Sequence, residues 1–420
     1  MAVEPPAGDD FDAVLAARAI TVVFQPIVSL DDQRPVGFEA LARGPEKSRL
    51  FAPDTLFTEA ERHDAVTELG WVCATAACAA AFEASLHNAP LFINMDPAMF
   101  STSCPPDLLP VYERALRELN LVLEITERIV ENPAALLRSV VTARQAHNRI
   151  ALDDIGVNPT SISLISVLAP DVIKLDRALT QAPTPSWERT YVINAVLSEA
   201  QLTGAAVLCE GIETPEHLQT ARAMGATLGQ GWLFGRAGPL PHSVDLSAKP
   251  LPRVTPYPQA ARTPFEAVRD RARMSQMGLP MLASMSAMLE DVALRTDATH
   301  LLFATIPATA LFDDETRLTH TRIAEHGVAV AVFGPQVPSF YVAGVHAVTL
   351  AQDDPAADER SVIAVGSYFA AALIARPSES VHPDAADPQL YDVVLTYDRK
   401  LVIEALHTLI DRVPPLISGQ

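Results

Sequence analysis

Cysteine, aromatic residues and positive charge are all scarce in this chain. Four cysteines occur in 420 residues, at Cys73, Cys78, Cys104 and Cys209, and none forms a CxxC pair. That excludes the common structural zinc ligand sets. Cys73 and Cys78 fall in the Ala-rich stretch Trp71–Ala79, where buried thiols are expected. Lys and Arg number 31 against 51 Asp and Glu, a net charge of -20. Gripping a DNA backbone needs phosphate contacts from Lys and Arg, so no DNA partner is expected. A small nucleotide ligand stays compatible with this acidity, because bound divalent cations reverse the local field. No run of about 18 apolar residues occurs, so no membrane span or membrane partner is expected. The start, Met1–Asp10, lacks the basic region and apolar core of a secretory signal. A cytoplasmic location is the expectation.

Hydrophobic residues make up 49% of the chain, ample for sizeable cores, and the length suggests two or three domains. Residues 1–11 read as a disordered leader. From 12 to 240, short apolar runs alternate with helical stretches. Strands are expected at Val22–Val28, Val36–Ala42, Leu91–Met95, Leu121–Ile125, Ile150–Ile155, Val172–Leu175, Ala206–Cys209 and Ala226–Leu228. Helices are expected between them, among them Val66–Leu86, Ala134–His147 and Trp187–Gln201. Such alternation predicts an α/β barrel or a doubly wound sheet, and counting alone does not choose. Residues 241–263 are dense in proline and read as a semi-extended linker. A second, smaller α/β unit is expected over 264–415, with strands at Leu301–Ile306, Val328–Phe333 and Val393–Thr396. An Ala-rich helix is expected at Tyr368–Ala375 and a last helix from Arg399 to Val413. Met274, Met277, Met281, Met285 and Met288 form a near-helical stripe suited to core or domain contact.

Polar residues recur at the ends of the apolar runs in the first unit. Glu39 lies in Phe38–Arg43, Asn94 in Leu91–Pro97, and Glu124 in Leu121–Glu127. Asp153 and Asp154 follow Arg149–Leu152, Lys174 follows Val172 and Ile173, and Glu210 follows Ala206–Cys209. A parallel barrel presents side chains at its mouth in this way. Taken singly, Asp153-Asp154 also suits a helix cap or turn, Lys174 a strand end, and Glu124 a partner for a base. Together they supply oxygen ligands of the kind hard divalent cations want. Carboxylates converging on one mouth repel each other unless cations intervene.

The set Gln25-Pro-Ile-Val28, Glu39-Ala-Leu41, Asn94, Glu124-Ile-Thr-Glu127, Asp153-Asp154, Lys174, Glu210-Gly-Ile-Glu-Thr214 and Gly229-Gln-Gly231 resembles the EAL family of cyclic di-GMP phosphodiesterases. The resemblance covers about residues 12–240. It implies a modified (β/α)8 barrel of the TIM type whose first strand runs antiparallel to the rest. It implies a site for two cations, Mg2+ or Mn2+, held by Glu39, Asn94, Glu124, Asp153, Asp154 and Glu210. Asp153 would bridge the two. Glu210 would act as general base or second-metal ligand, Lys174 would position the attacking water, and Gln230 would complete the shell. Gln25, Pro26, Leu41, Arg43 and Asp176 would contact cyclic di-GMP, with Arg43 on a phosphate. Glu127 and Glu213 would hydrogen-bond a loop behind the ligands. The implied product is linear pGpG, and a homodimer is implied.

One loop departs from the family pattern. Active members usually continue the Asp pair with Phe-Gly-Thr-Gly-Tyr-Ser-Ser-Leu, whereas this chain reads Ile155-Gly-Val-Asn-Pro-Thr-Ser-Ile162. Asn158 still tolerates positive φ, while Pro159 stiffens the loop and biases Asn158 away from the right-handed helical region. In the family this loop couples dimerisation to metal binding and catalysis. Two functional readings follow: an active phosphodiesterase, or a catalytically weak receptor that reports cyclic di-GMP to a partner. A third, a scaffold without nucleotide, makes the acidic mouth a coincidence. No Gly-Gly-Asp-Glu-Phe cyclase motif occurs. In the second unit, Val365–Arg376 and Val393–Lys400 resemble the DICT sensory domain, which implies an input role with a protein or small-molecule partner.

Overall fold

The computed structural model describes residues 10–96, 99, 102–126, 140–144, 147–156, 165, 167–182, 186–241, 244–247, 249–254, 261–295, 299–307, 314–337, 341–342, 345–366, 369–381 and 389–413. Eight strands close into a barrel in chain order. They are β1 (Thr21–Ser29), β2 (Pro35–Arg43), β3 (Pro90–Asn94), β4 (Asn120–Thr126), β5 (Arg149–Ile155), β6 (Val172–Leu175), β7 (Ala206–Cys209) and β8 (Leu228–Gln230). β1 pairs antiparallel with both β2 and β8, and β2 to β8 run parallel. The choice between barrel and open sheet is thus made by the β1–β8 pairing, which joins residues some two hundred positions apart. Ile27, Val36, Phe92, Val122, Ala151, Val172, Ala206, Leu208 and Leu228 pack together inside the barrel, joined by Leu251 from the proline-rich segment. The interior is therefore a packed core, as such barrels require.

Asp171 ties this base together. It is fully buried; Oδ2 accepts from the Ile150 amide at 2.8 Å and Oδ1 from the Val254 amide at 2.7 Å. The Arg144 guanidinium stands 3.6 Å away. One carboxylate thus fastens β5, β6 and the segment leading out of the barrel.

The second unit is an eight-stranded sheet: β9 (Met274–Gly278), β10 (Thr299–Thr305), β11 (Ala329–Gly334), β12 (Tyr341–Val342), β13 (Val345–Thr349), β14 (Arg360–Gly366), β15 (Ala370–Val381) and β16 (Gln389–Thr396). Their spatial order is β12-β13-β11-β10-β14-β15-β16-β9. β10, β11 and β13 are parallel; the other pairings are antiparallel. Helices Leu279–Arg295 and Asp314–Glu325 contribute to the core on one face. The other face packs on helix Arg399–Ile410, whose residues from Leu401 to Ile410 are all buried. That helix belongs to the same continuous core as the outer layer of the barrel. His407 Nε2 stands 2.7 Å from the Val167 carbonyl, a contact across the junction.

Two expectations are corrected here. Within the Ala-rich stretch expected to be a helix, residues from Ala370 to Ala375 lie in strand β15 instead, and Tyr368 is outside the described residues. Alanine favours helix intrinsically, but Ala370, Ala371, Ala372 and Ala375 are buried between β14 and β16, and that pairing overrides local preference. The methionines are not one helical stripe: Met274 and Met277 lie on β9, and the helix starts at Leu279. Met277 and Met285 pack on the core, whereas Met274, Met281 and Met288 are exposed. Of the helix expected at Ala134–His147, residues 140–144 are helical and 134–139 lie outside the described residues.

Candidate active site

Side chains alternate across a strand with period two, and the barrel uses this to build its mouth. Asn94 follows inward Phe92 by two, Glu124 follows Val122, and Asp153 follows Ala151. Lys174 follows Val172, Glu210 follows Leu208, and Gln230 follows Leu228. Each polar residue thus stands one layer above the apolar filling. Glu39 joins from β2, opposite Gln25 of β1. Asp154 breaks the alternation and should face outward. Its φ of 58° turns the chain, and its carboxylate returns to the mouth beside Asp153 and Glu210. Aspartate is among the few residues that tolerate this conformation. The Asp154 amide donates to Asp153 Oδ1 at 2.9 Å.

Lys174 is the centre of the arrangement and is fully buried. Its Nζ lies 2.7 Å from Glu124 Oε1, 2.9 Å from Asp153 Oδ1, 2.9 Å from Glu210 Oε1 and 3.5 Å from Glu39 Oε1. Burial pulls its pKa down, but the four carboxylates outweigh that and hold it well above the ordinary lysine value. Burial and the Glu39 charge push Glu124 well up. Burial raises Glu210 to about 8, against the pull of Lys174. Glu39 alone ends below its usual value: burial raises it, and Lys174 and Gln230 more than reverse this. Gln230 Nε2 donates to Glu39 Oε2 at 2.5 Å and to Gln25 Oε1 at 3.2 Å, while Gln25 Nε2 donates to the Gly235 carbonyl at 3.1 Å.

One lysine does not balance this much carboxylate: Glu124 Oε1 meets Lys174 Nζ, and its buried Oε2 has no hydrogen-bond partner. Two sets of oxygen donors are present: Glu39, Glu124 and Asp153, and Asp153, Asp154 and Glu210. Within each set the ligand atoms lie within 4.8 Å of one another, and Asp153 belongs to both. These residues fit a pair of hard cations sharing one carboxylate. A cavity of about 500 Å3 adjoins them, lined by Leu41, Arg43, Asn94 and Asp154 among others.

Pro26 lines a separate cavity of about 430 Å3 with Phe24, Phe38 and Phe234. Asp176 caps helix Arg177–Gln181, accepting from the Ala178 amide at 2.7 Å. Glu213 is exposed. Glu127 and the Asn158-Pro159 pair lie outside the described residues. Asp96 lines the 500 Å3 cavity and was missed; its place two residues beyond Asn94 was the available signal. The four thiols are free, and burial raises Cys73, Cys78 and Cys209 to about 12.

The barrel region is similar to known proteins. The chain is 29% identical over 231 residues to the probable cyclic di-GMP phosphodiesterase PdeB of Escherichia coli, covering 53% of this chain and 43% of that protein. It is 27% identical over 228 residues to the cyclic di-GMP phosphodiesterase RocR of Pseudomonas aeruginosa, covering 53% and 58%. The chain therefore spans about half the length of these curated relatives. Among solved structures, the manganese and cyclic di-GMP complex of Klebsiella pneumoniae BlrP1 is 26% identical, with a TM-score of 0.46, covering 52% of this chain and 56% of that one. The model of the EAL domain matches residues 9–237, more than half of the sequence, and the chain belongs to that family.

Proposed function

We propose that this chain hydrolyses cyclic di-GMP to linear pGpG at the barrel mouth, with Mg2+ or Mn2+ as cofactor. The observation that carries the reading is the pair of carboxylate sets sharing Asp153 beside a cavity lined by Arg43. Glu39, Asn94, Glu124 and Asp153 would hold one cation, and Asp153, Asp154 and Glu210 the other. Bound there, divalent cations supply charge neutralisation on the phosphodiester and a more acidic water. Lys174 holds its proton, and its Nζ is placed to orient a water against Asp153 and Glu210. Glu210 is the residue to accept that water's proton. Gln230 fixes Glu39 through its short hydrogen bond. Arg43 and Leu41 would receive the nucleotide, with the Arg43 guanidinium on a phosphate.

We assign residues 12–240 to the phosphodiesterase domain and 264–415 to a DICT-like sensory domain that regulates it, joined by the linker at 241–263. The continuous core through helix Arg399–Ile410 supports such coupling. We further place the protein in the cytoplasm as a homodimer. Among the described residues no helix is long and apolar enough to cross a membrane.

The rewritten sequence Gly156-Val-Asn-Pro-Thr160 favours the second reading, a receptor that binds cyclic di-GMP without turning it over. Turnover by purified protein with Mg2+ or Mn2+, read as pGpG by chromatography, separates the two. Product that disappears in Glu39→Ala and Glu210→Gln supports the enzyme. Nucleotide binding in Ca2+ without product from the unaltered chain leaves the receptor.

A further inference from the structure

The second unit contains a polar cavity that the phosphodiesterase reading does not use. It measures about 340 Å3 and is lined from helices Leu279–Arg295 and Asp314–Glu325 and from the paired strands β10 and β14. Alanine and aliphatic side chains share its wall with Ser286, Glu290, Thr305, His320, Arg360 and Ser361. Buried polar atoms are normally hydrogen-bonded, because leaving one unmet is costly. Several are unmet here at once. His320 is 1% exposed, and neither ring nitrogen has a hydrogen-bond partner. Its Nε2 stands 3.6 Å from Glu290 Oε1, beyond hydrogen-bond reach. Ser286 Oγ, in a residue 6% exposed, and the buried Nε of Arg360 are also without partners. By contrast Thr305 donates to Ser361 at 2.9 Å, so unmet polarity is not a general property of this wall.

The position is one where α/β sheets collect ligands. Thr305 is the last residue of β10, so the cavity lies at the carboxyl end of a strand with one parallel and one antiparallel neighbour. Crevices outside the carboxyl ends of strands are common binding places in α/β sheets. The size falls at the low end of ligand pockets, about 300–1,000 Å3, which suits a small metabolite and not a dinucleotide. The chemistry narrows it further. A guanidinium and a hydroxyl converge with an imidazole on the space, and guanidinium pairs best with a carboxylate. Glu290 adds a single acceptor beside His320 and calls for a donor on the ligand.

We infer that this cavity binds a small carboxylic acid bearing a hydroxyl or ammonium group. Arg360 receives the carboxylate, Glu290 the donor, and Ser286 and His320 complete the hydrogen bonding.

Isothermal titration of the full chain with L-lactate, L-malate, L-serine and L-threonine, each beside its amide, tests this. At least one acid is expected to bind, and its amide to bind at least about tenfold more weakly. Preference between hydroxy and amino acids identifies the donor. Arg360→Gln is expected to weaken the acid by about 10–100-fold, the loss of one charge-assisted hydrogen bond. Ser286→Val, which removes an unpaired hydroxyl, is expected to weaken binding while holding or raising the melting temperature without ligand. This variant keeps the test open should Arg360→Gln fold poorly. No binding by any of the four acids, equal binding of acid and amide, or unchanged affinity in both variants overturns the assignment. Cyclic di-GMP turnover is not read, so the result is independent of the reaction proposed for the barrel.

Discussion

The base and the mouth of the barrel treat buried carboxylate charge in opposite ways. At the base, Asp171 accepts two backbone amides and faces one guanidinium. At the mouth, four carboxylates crowd one ammonium, and Glu124 Oε2 has no hydrogen-bond partner. Both sites are enclosed by the same strands, so burial alone does not separate them. Completion does: both oxygens of Asp171 are met by backbone amides that fasten the chain, whereas the mouth is stable only with further positive charge or with protons held by Glu124 and Glu210. A buried charge that is satisfied within the chain is structural; one left short of partners points to something bound.

The largest effect expected from breaking this contrast is at the base. Asp171→Ala leaves two buried amides unpaired and removes the carboxylate facing Arg144, and should cost about 3–5 kcal/mol of stability in urea denaturation. A loss below about 1 kcal/mol would show that the Asp171 hydrogen bonds do not hold the base together. At the mouth the same kind of change should leave stability nearly untouched and remove function. Glu124→Gln imitates the protonated acid that burial favours, so the protein without cations should melt as before. Turnover should fall by about 100- to 1,000-fold, the scale of losing one electrostatic group in an active site. Divalent cations sharpen the comparison next. At about 100 times its dissociation constant, Mg2+ or Mn2+ should stabilise the chain by about 2.7 kcal/mol. Asp153→Asn, which weakens both ligand sets, should abolish that shift, and Asp171→Asn should not.

The smallest effect is a pH dependence in the second unit. Glu359 accepts from the Phe265 amide at 3.0 Å, and burial raises its pKa to about 7. An acid whose folded pKa lies above its unfolded value near 4.5 holds its proton more tightly when folded. Its contribution is therefore complete below about pH 4 and is lost as pH rises to about 7. Glu359→Gln should flatten that window by about 1–2 kcal/mol in melting curves taken from pH 4 to 8. An unchanged slope would mean that Glu359 titrates alike in the folded and unfolded chain.

Much of the mouth was legible because strand periodicity is short-range. A polar residue two positions beyond an apolar one, at the end of a β-propensity run, marks the mouth layer of a barrel, and Asn94, Glu124, Lys174 and Glu210 all show it. Pro26 and Asp176 were grouped with the nucleotide contacts by motif; Pro26 lines a neighbouring cavity, and Asp176, just past β6, caps a helix. Asp154 was legible as a candidate but not in its means of reaching the mouth, since positive φ is a backbone choice no spacing reveals. The second unit was read less well. Alanine is small enough for either helix or a buried strand, and only pairing with β14 and β16 decided for strand.

What the sequence determined by itself is the order of apolar runs, the acidic balance and the polar residue that closes each run, because these depend on neighbours one to four positions away. What only the tertiary structure decided is how far the charges at the mouth and base are answered, and that Ser286, His320 and Arg360 enclose one cavity. Those facts depend on contacts between residues tens to hundreds of positions apart, where the energy of a buried polar group is set by whatever the fold brings beside it.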